Sequence, residues 1–97
     1  MGLFTKTLPT RKILGIAEQL GPDYSIKWID GENCVYRKLN NDFDIEVSGL
    51  DNNKKSFSCT VFLWSLLPGK SIKATYTDIK SFEQLCETLQ SLEMLYG

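Results

Sequence analysis

The sequence predicts an α+β fold of two layers, built from an N-terminal helix, a five-stranded antiparallel meander and a C-terminal helix. Near each end of the chain, apolar residues recur every three or four positions, which is the period of a helix. Between these ends, five segments alternate apolar and polar residues, which is the period of a strand. The connections between the strands are short, and short connections favour antiparallel neighbours. Helices at the two ends of such a sheet give a two-layer domain.

The first predicted helix spans residues 10–20, with Thr10 as its N-cap. Its apolar face consists of Ile13, Ile16, Ala17 and Leu20. The helix should stop at Gly21-Pro22, because glycine accepts the left-handed conformation that ends a helix and proline cannot continue one.

The alternating segments predict strands over residues 24–29, 33–39, 42–48, 56–64 and 71–76. The third strand alternates most clearly, so we expect Phe43, Ile45 and Val47 to face the core and Asp42, Asp44 and Glu46 to face the other way. In the fourth strand the inner set is expected to be Phe57, Cys59, Val61 and Leu63. In the fifth it is expected to be Ile72, Ala74 and Tyr76. The second strand has mixed faces and leaves its register open.

The last predicted helix begins at residue 80 or 81 and ends near residue 95. Ser81 and Gln84 have the spacing of a capping box, in which the first residue caps the helix and the second reaches back, and Asp78 is the rival N-cap. The apolar stripe of this helix consists of Phe82, Leu85, Cys86, Leu89, Leu92 and Tyr96.

The composition fits one globular domain over residues 1–97, with residues 1–8 as a short N-terminal tail. The chain has 11 basic and 12 acidic residues, and its basic residues are scattered, which disfavours nucleic acid as a partner. No apolar run reaches the ~18 to 20 residues of a membrane helix. The three cysteines, Cys34, Cys59 and Cys86, lack the spacing of a zinc site or a disulfide framework. We therefore expect reduced thiols, no cofactor and a cytoplasmic protein.

The chain contains no histidine, which removes the commonest general base and metal ligand. The only acidic cluster, formed by Asp42, Asp44 and Glu46, follows one strand face with neighbouring Cα atoms ~6.6 Å apart. A flat strand splays such carboxylates apart, so the pattern favours a solvated face with lysine partners rather than a metal site. A carboxylate-dependent enzyme is accordingly the weakest hypothesis, and it requires Asp42 or Asp44 to meet another acid in a cleft.

The aromatic residues of the fourth strand raise a different possibility. Phe62 and Trp64 should lie on the face opposite the core, with Thr60 and Ser58 at the edge of the same patch. The first helix or the segment Leu3-Phe4 covers this second face, or the sheet curls enough to bury both of its sides, or the patch binds a partner. The main hypothesis is a small non-catalytic protein-binding module of the adaptor, chaperone, immunity or inhibitor type. It would dock through a sheet face or edge on another protein, or on a second copy as a homodimer.

An alternative hypothesis is a carrier that holds a small apolar ligand between the sheet and the helices. The residues expected to line its pocket are Trp28, Tyr36, Phe57 and Leu89. Packing of these residues in an ordinary core is the simpler interpretation.

Overall fold

A computed structural model describes residues 6–40 and 42–97 of the chain. In this part the order is helix, five strands and helix, as the sequence predicts: α1 (Arg11–Leu20), β1 (Ser25–Ile29), β2 (Glu32–Lys38), β3 (Phe43–Ser48), β4 (Cys59–Ser65), β5 (Ser71–Ile79) and α2 (Phe82–Tyr96). Residues 1–5, which include Leu3-Phe4 and most of the predicted tail, lie outside the described residues.

The strands form one antiparallel sheet in the order β1-β2-β3-β4-β5, which is a meander. The register aligns the apolar residues in rows across one face: Val35 lies opposite Val47, and Val47 lies opposite Val61. Both helices bury their apolar stripes in the same hydrophobic cluster as these valines. The sheet therefore has an inner face, which both helices cover. The expectation that α1 covers the second face is wrong.

Side-chain capping begins both helices. The Oγ1 atom of Thr10 accepts a hydrogen bond from the backbone N–H of Ile13 (3.3 Å), and Ser81 Oγ accepts one from the N–H of Gln84 (3.0 Å). The Gln84 side chain reaches back one residue further than a standard capping box, because its Oε1 accepts from the N–H of Lys80 at 2.7 Å. The predicted caps Thr10 and Ser81 are confirmed.

The fifth strand differs from the prediction in its length and in one inward residue. It continues to Ile79, and the register shifts between Leu63 and Trp64 of the neighbouring strand. A bulge of this kind places two residues of one strand opposite one of the other and reverses the faces beyond it. Ala74 stays on the inner face, whereas Ile72 lies opposite Trp64 and is 50% exposed. The prediction that Ile72 faces the core is therefore wrong.

Polar contacts fix α2 and the long β3–β4 connection to the sheet. Glu93 of α2 accepts hydrogen bonds at Oε2 from the Tyr24 hydroxyl and from Arg37 Nη1, both at 2.6 Å. Asp51 in the connection accepts at Oδ1 from the backbone N–H of Thr10 and at Oδ2 from the Asn33 side chain, both at 2.9 Å. Neither helix in the described ranges has the length and apolar character needed to cross a bilayer.

Candidate functional site

The face of the sheet opposite the two helices is called the outer face below. The residues that strand alternation assigns to it include Lys27, Cys34, Tyr36, Lys38, Asp44, Glu46, Ser48, Thr60, Phe62, Trp64 and Ile72. The predicted placement of Phe62 and Trp64 beside the acidic residues of β3 is confirmed, since Glu46 lies opposite Phe62 and Asp44 lies opposite Trp64. This face combines carboxylates and aromatic rings in neighbouring strands.

Two hydrogen bonds cross the centre of the outer face diagonally. Tyr36 lies directly opposite Glu46, but its hydroxyl donates to Oδ2 of Asp44 at 2.8 Å. Trp64 lies directly opposite Asp44, but its indole Nε1–H donates to Oε1 of Glu46 at 3.0 Å. Diagonal neighbours in an antiparallel pair are ~7 to 8 Å apart, which long aromatic side chains can bridge. Tyr36, Asp44, Glu46 and Trp64 are called the diagonal network.

The two acids of the network are buried, although the sequence suggested a solvated face. Asp44 is 3% exposed and Glu46 is 6% exposed, whereas Asp42 is exposed. The expectation of a solvated face is therefore wrong for Asp44 and Glu46, although a lysine of the neighbouring strand, Lys38, does lie opposite Asp44. Aromatic side chains flank both acids in the neighbouring strands and take the place of water as hydrogen-bond donors.

Burial changes the proton affinity of the groups around the network. It raises the pKa of Glu46 above its ordinary value, and the nearby carboxylates of Asp30 and Glu32 act in the same direction. The hydrogen bond from Trp64 and the charge of Lys70 oppose this rise but do not cancel it. An ionised Glu46 at this position therefore costs desolvation free energy.

Tyr36 and Cys34, also on the outer face, show the same effect of burial on their pKa values. Burial, followed by the hydrogen bond to Asp44, raises the pKa of Tyr36 to about 12. Burial, followed by the charges of Glu32 and Glu46, raises the pKa of the Cys34 thiol to about 12. At neutral pH both groups keep their protons, so Tyr36 acts as a hydrogen-bond donor and Cys34 is a poor nucleophile.

One acceptor of the network is without a donor. Oδ1 of Asp44 is buried and has no hydrogen-bond partner, while Oδ2 of the same carboxylate accepts from Tyr36. Most buried polar atoms in proteins are paired, because leaving one unpaired costs about 1 to 3 kcal/mol. The outer face therefore contains one buried, unpaired hydrogen-bond acceptor at a fixed position.

Two lysines of the chain lie over the aromatic rings of the network. Lys27 Nζ is 4.4 Å from the ring centroid of Tyr36, and Lys70 Nζ is 4.9 Å from that of Trp64. Both distances are in the range of cation–π attraction. The two rings thus attract positive charge on the side that faces away from the helices.

The structure places three of the four predicted partner-binding residues in one line along β4. Thr60, Phe62 and Trp64 alternate on the outer face, and each is half-buried. Ser58 lies just before the strand, is exposed, and its hydroxyl accepts a hydrogen bond from Lys80 Nζ at 3.3 Å. Ile72 extends the apolar surface beyond Trp64 on the neighbouring strand.

The four residues predicted to line a ligand pocket do not come together. Tyr36 lies on the outer face, Trp28 lies opposite Asn33 on the edge strand β1, and Leu89 is buried in the core on the inner face. Phe57 packs edge to face on Phe82 at 6.4 Å between ring centroids, near the start of α2. Of the four, Leu89 alone lines the cavity of about 210 Å³ between the two helices. The geometry offers no common pocket for an apolar ligand.

Sequence reasoning named Tyr36 only as a candidate pocket residue, and it missed the contact of Tyr36 with the acids on the outer face. The mixed pattern of β2 did not assign a face to Tyr36, and the pairing Tyr36–Glu46 appears only in the three-dimensional register. A usable signal was present, because aromatic residues on both neighbouring strands flank the acids of β3.

Within residues 6–40 and 42–97, no group of three or more histidine, cysteine, aspartate or glutamate side chains is arranged to hold a metal ion. Comparison of the chain with protein-family models, with curated protein sequences and with solved structures finds no match.

Proposed function

We propose that the protein is a small non-catalytic binding module that docks on another protein through the outer face of its sheet. An adaptor, chaperone, immunity protein or inhibitor would work in this way. The observation that carries the proposal is the line of Thr60, Phe62 and Trp64, which stays partly exposed on the face that neither helix covers. Partly exposed aromatic side chains on an uncovered face favour an interaction site, because phenylalanine and tryptophan are enriched in protein interfaces.

The diagonal network favours docking because it holds Trp64 in place before a partner arrives. Tryptophan and tyrosine are common anchors in interfaces, and an anchor that is already fixed loses little entropy on binding. The hydrogen bond to Glu46 fixes the indole ring, and the hydroxyl bond to Asp44 fixes Tyr36. The saving is about 0.5 to 1.5 kcal/mol for each side chain that needs no further ordering.

The same contacts argue against a catalytic use of the two acids. A general acid or base must reach a substrate proton, and it works best with a partner that relays or balances the charge. Here both acids already accept hydrogen bonds from aromatic residues, and the chain has no histidine to complete a proton relay. This supports a binding role.

The simplest partner is a second copy of the chain, in which two outer faces meet as a homodimer. Light scattering on the purified protein, run over a range of concentrations, tests this version. A mass near twice 11.0 kDa supports it, and a constant mass of 11.0 kDa restricts the proposal to a different partner. We also propose a cytoplasmic location, which the buried thiols of Cys34 and Cys59 support.

Site-specific photo-crosslinking in cells of the source organism tests the docking face. A benzophenone amino acid replaces Thr60 on the outer face in one variant and Gln90 on α2 in a matched control, because Gln90 is exposed on the other side of the molecule. We expect a discrete adduct, identified by mass spectrometry, from position 60 and little from position 90. Equal adducts at both positions, or an adduct at position 90 alone, would contradict the proposal.

A further inference from the structure

We propose that the outer face recognises an arginine side chain of the partner protein, with Asp44 as the acceptor and the rings of Tyr36 and Trp64 as its walls. This inference rests on the proposed function and specifies a partner other than a second copy, because the two arginines of the chain, Arg11 in α1 and Arg37 on the inner face, do not lie on the outer face. Its starting point is Oδ1 of Asp44, which is buried, belongs to a residue that is 3% exposed, and has no donor.

The charge and position of Asp44 decide what kind of donor fits. A neutral donor would satisfy the oxygen, but a cationic donor forms a bond about twice as strong with a carboxylate. Trp64 lies directly opposite Asp44 on β4, the exposed Lys38 lies directly opposite it on β2, and Tyr36 is bonded to its other oxygen. A donor that enters here must therefore also lie well against an aromatic ring.

Arginine meets both demands better than lysine. Its guanidinium is planar, stacks on aromatic rings, carries five N–H donors and is more weakly hydrated than an ammonium group. A guanidinium that displaces the side chains covering Oδ1 of Asp44 can donate to this oxygen with its edge while its face lies on the indole of Trp64. The strong hydration of lysine makes its transfer into a partly buried site more costly.

The chain's own lysines show that these rings already attract cations. Lys70 Nζ lies 4.9 Å from the ring centroid of Trp64, and Lys27 Nζ lies 4.4 Å from that of Tyr36. Both residues are exposed, so their ammonium groups are held loosely over the rings. We infer that Lys70 occupies the indole in the unbound protein and leaves it when the arginine arrives. The proposal thus predicts that removing Lys70 strengthens binding, whereas its loss would change little if the indole face were not the binding position.

A titration with a short peptide tests the proposal. The protein used in this titration is the Trp28→Phe variant, in which Trp64 is the only tryptophan and therefore the only source of the tryptophan fluorescence. The probe is acetyl-Gly-Gly-Arg-Gly-Gly-amide, compared with the same peptide containing lysine or glutamate. One charged hydrogen bond and one cation–π contact correspond to a Kd of about 1 to 30 mM, so we expect saturable quenching of Trp64 fluorescence in that range, weaker with lysine and absent with glutamate.

Three variants separate this site from general attraction between charges. Asp44→Asn keeps the shape and removes the charge, and we expect it to weaken binding about tenfold or more. Glu87→Gln makes the same change in charge at an exposed position on α2, and we expect it to leave the affinity unchanged. Lys70→Met should strengthen binding about two- to fivefold by removing the competing cation.

Equal weakening by Asp44→Asn and Glu87→Gln would overturn the proposal, and so would the absence of saturable binding. If Asp44→Asn fails to fold, the Lys70→Met variant decides: unchanged or weaker binding refutes the assigned position. The result of the peptide titration can be distinguished from the result of the crosslinking experiment that tests the docking proposal. A crosslink at position 60 together with no response to arginine keeps the docking face and removes arginine as its ligand, whereas adducts from α2 alone remove both.

Discussion

Replacing Trp64 with phenylalanine tests the diagonal network in depth. The substitution keeps an aromatic ring on the outer face but removes the Nε1–H group that donates to Glu46 at 3.0 Å. Glu46 is 6% exposed, so water cannot readily replace the lost donor. A hydrogen bond to a charged group contributes about 1.5 to 3 kcal/mol, and an acceptor left unpaired in the interior adds its desolvation penalty.

We therefore expect Trp64→Phe to lower the free energy of unfolding by about 2 to 3 kcal/mol. For a domain of this size, each kcal/mol shifts Tm by about 4 to 8 °C. Part of the loss comes from the smaller ring, and a second substitution separates that part. In a Glu46→Gln background the acceptor is neutral, its hydrogen bond is worth only about 1 kcal/mol, and the same Trp64→Phe change should cost about 1 kcal/mol less.

Urea denaturation followed by circular dichroism measures all four members of this cycle, with Trp28→Phe as a control that removes the same atoms from the first strand. A coupling energy between positions 46 and 64 of about 1 kcal/mol supports the network. A coupling below about 0.3 kcal/mol, which is the range for independent sites, would refute the claim that this hydrogen bond fixes the indole.

Three further predictions concern the same face and the connection that leads into it. Tyr36→Phe removes the hydroxyl donor of Asp44 and should cost about 1.5 to 3 kcal/mol in urea unfolding; a loss below 0.5 kcal/mol, the size of ordinary surface changes, would contradict the bond. The raised pKa of Glu46 gives stability that is present below the unfolded pKa of about 4.3 and is lost as pH rises through the folded pKa. In thermal unfolding, the Glu46→Gln variant should therefore gain stability relative to the parent protein between pH 4 and pH 7, and a stability difference that stays constant with pH would count against this reasoning. Burial raises the pKa of Asp51, but hydrogen bonds from Thr10 and Asn33 outweigh burial and lower the pKa, so the stability that Asp51 contributes is present above about pH 3.9 and is lost as pH falls through the folded pKa. Asp51→Asn should therefore be more destabilising at pH 7 than at pH 3, and the reverse order would refute the direction of this pKa shift.

The order of helices and strands could be predicted because its signals are local. Thr10 and Ser81 cap the helices through residues three positions away, and the alternation in β3 is visible within six residues. Short turns then leave a meander as the simplest topology. None of these features depends on a distant part of the chain.

The bulge and the buried acids could not be predicted in the same way. Ile72 reverses its face because the β4–β5 register shifts at Trp64, and a register is a property of two strands together. Alternation assigns Asp44 to a face, but it does not say which side chains from the neighbouring strands cover that face. Tyr36 comes from eight residues earlier in the chain and Trp64 from twenty residues later.

Mapping of amide chemical shifts by nuclear magnetic resonance tests the central claim most directly, that the outer face is a docking surface for a partner's arginine. In a titration of the protein with the arginine peptide, we predict that the Trp64 Nε1–H resonance and the amides of β2, β3 and β4 shift together with one Kd. The exposed acids Glu83 and Glu87 on α2 provide the internal comparison, because general attraction between charges would act there as well. Shifts that cluster around α2, or that leave the Trp64 indole unchanged, would contradict the account.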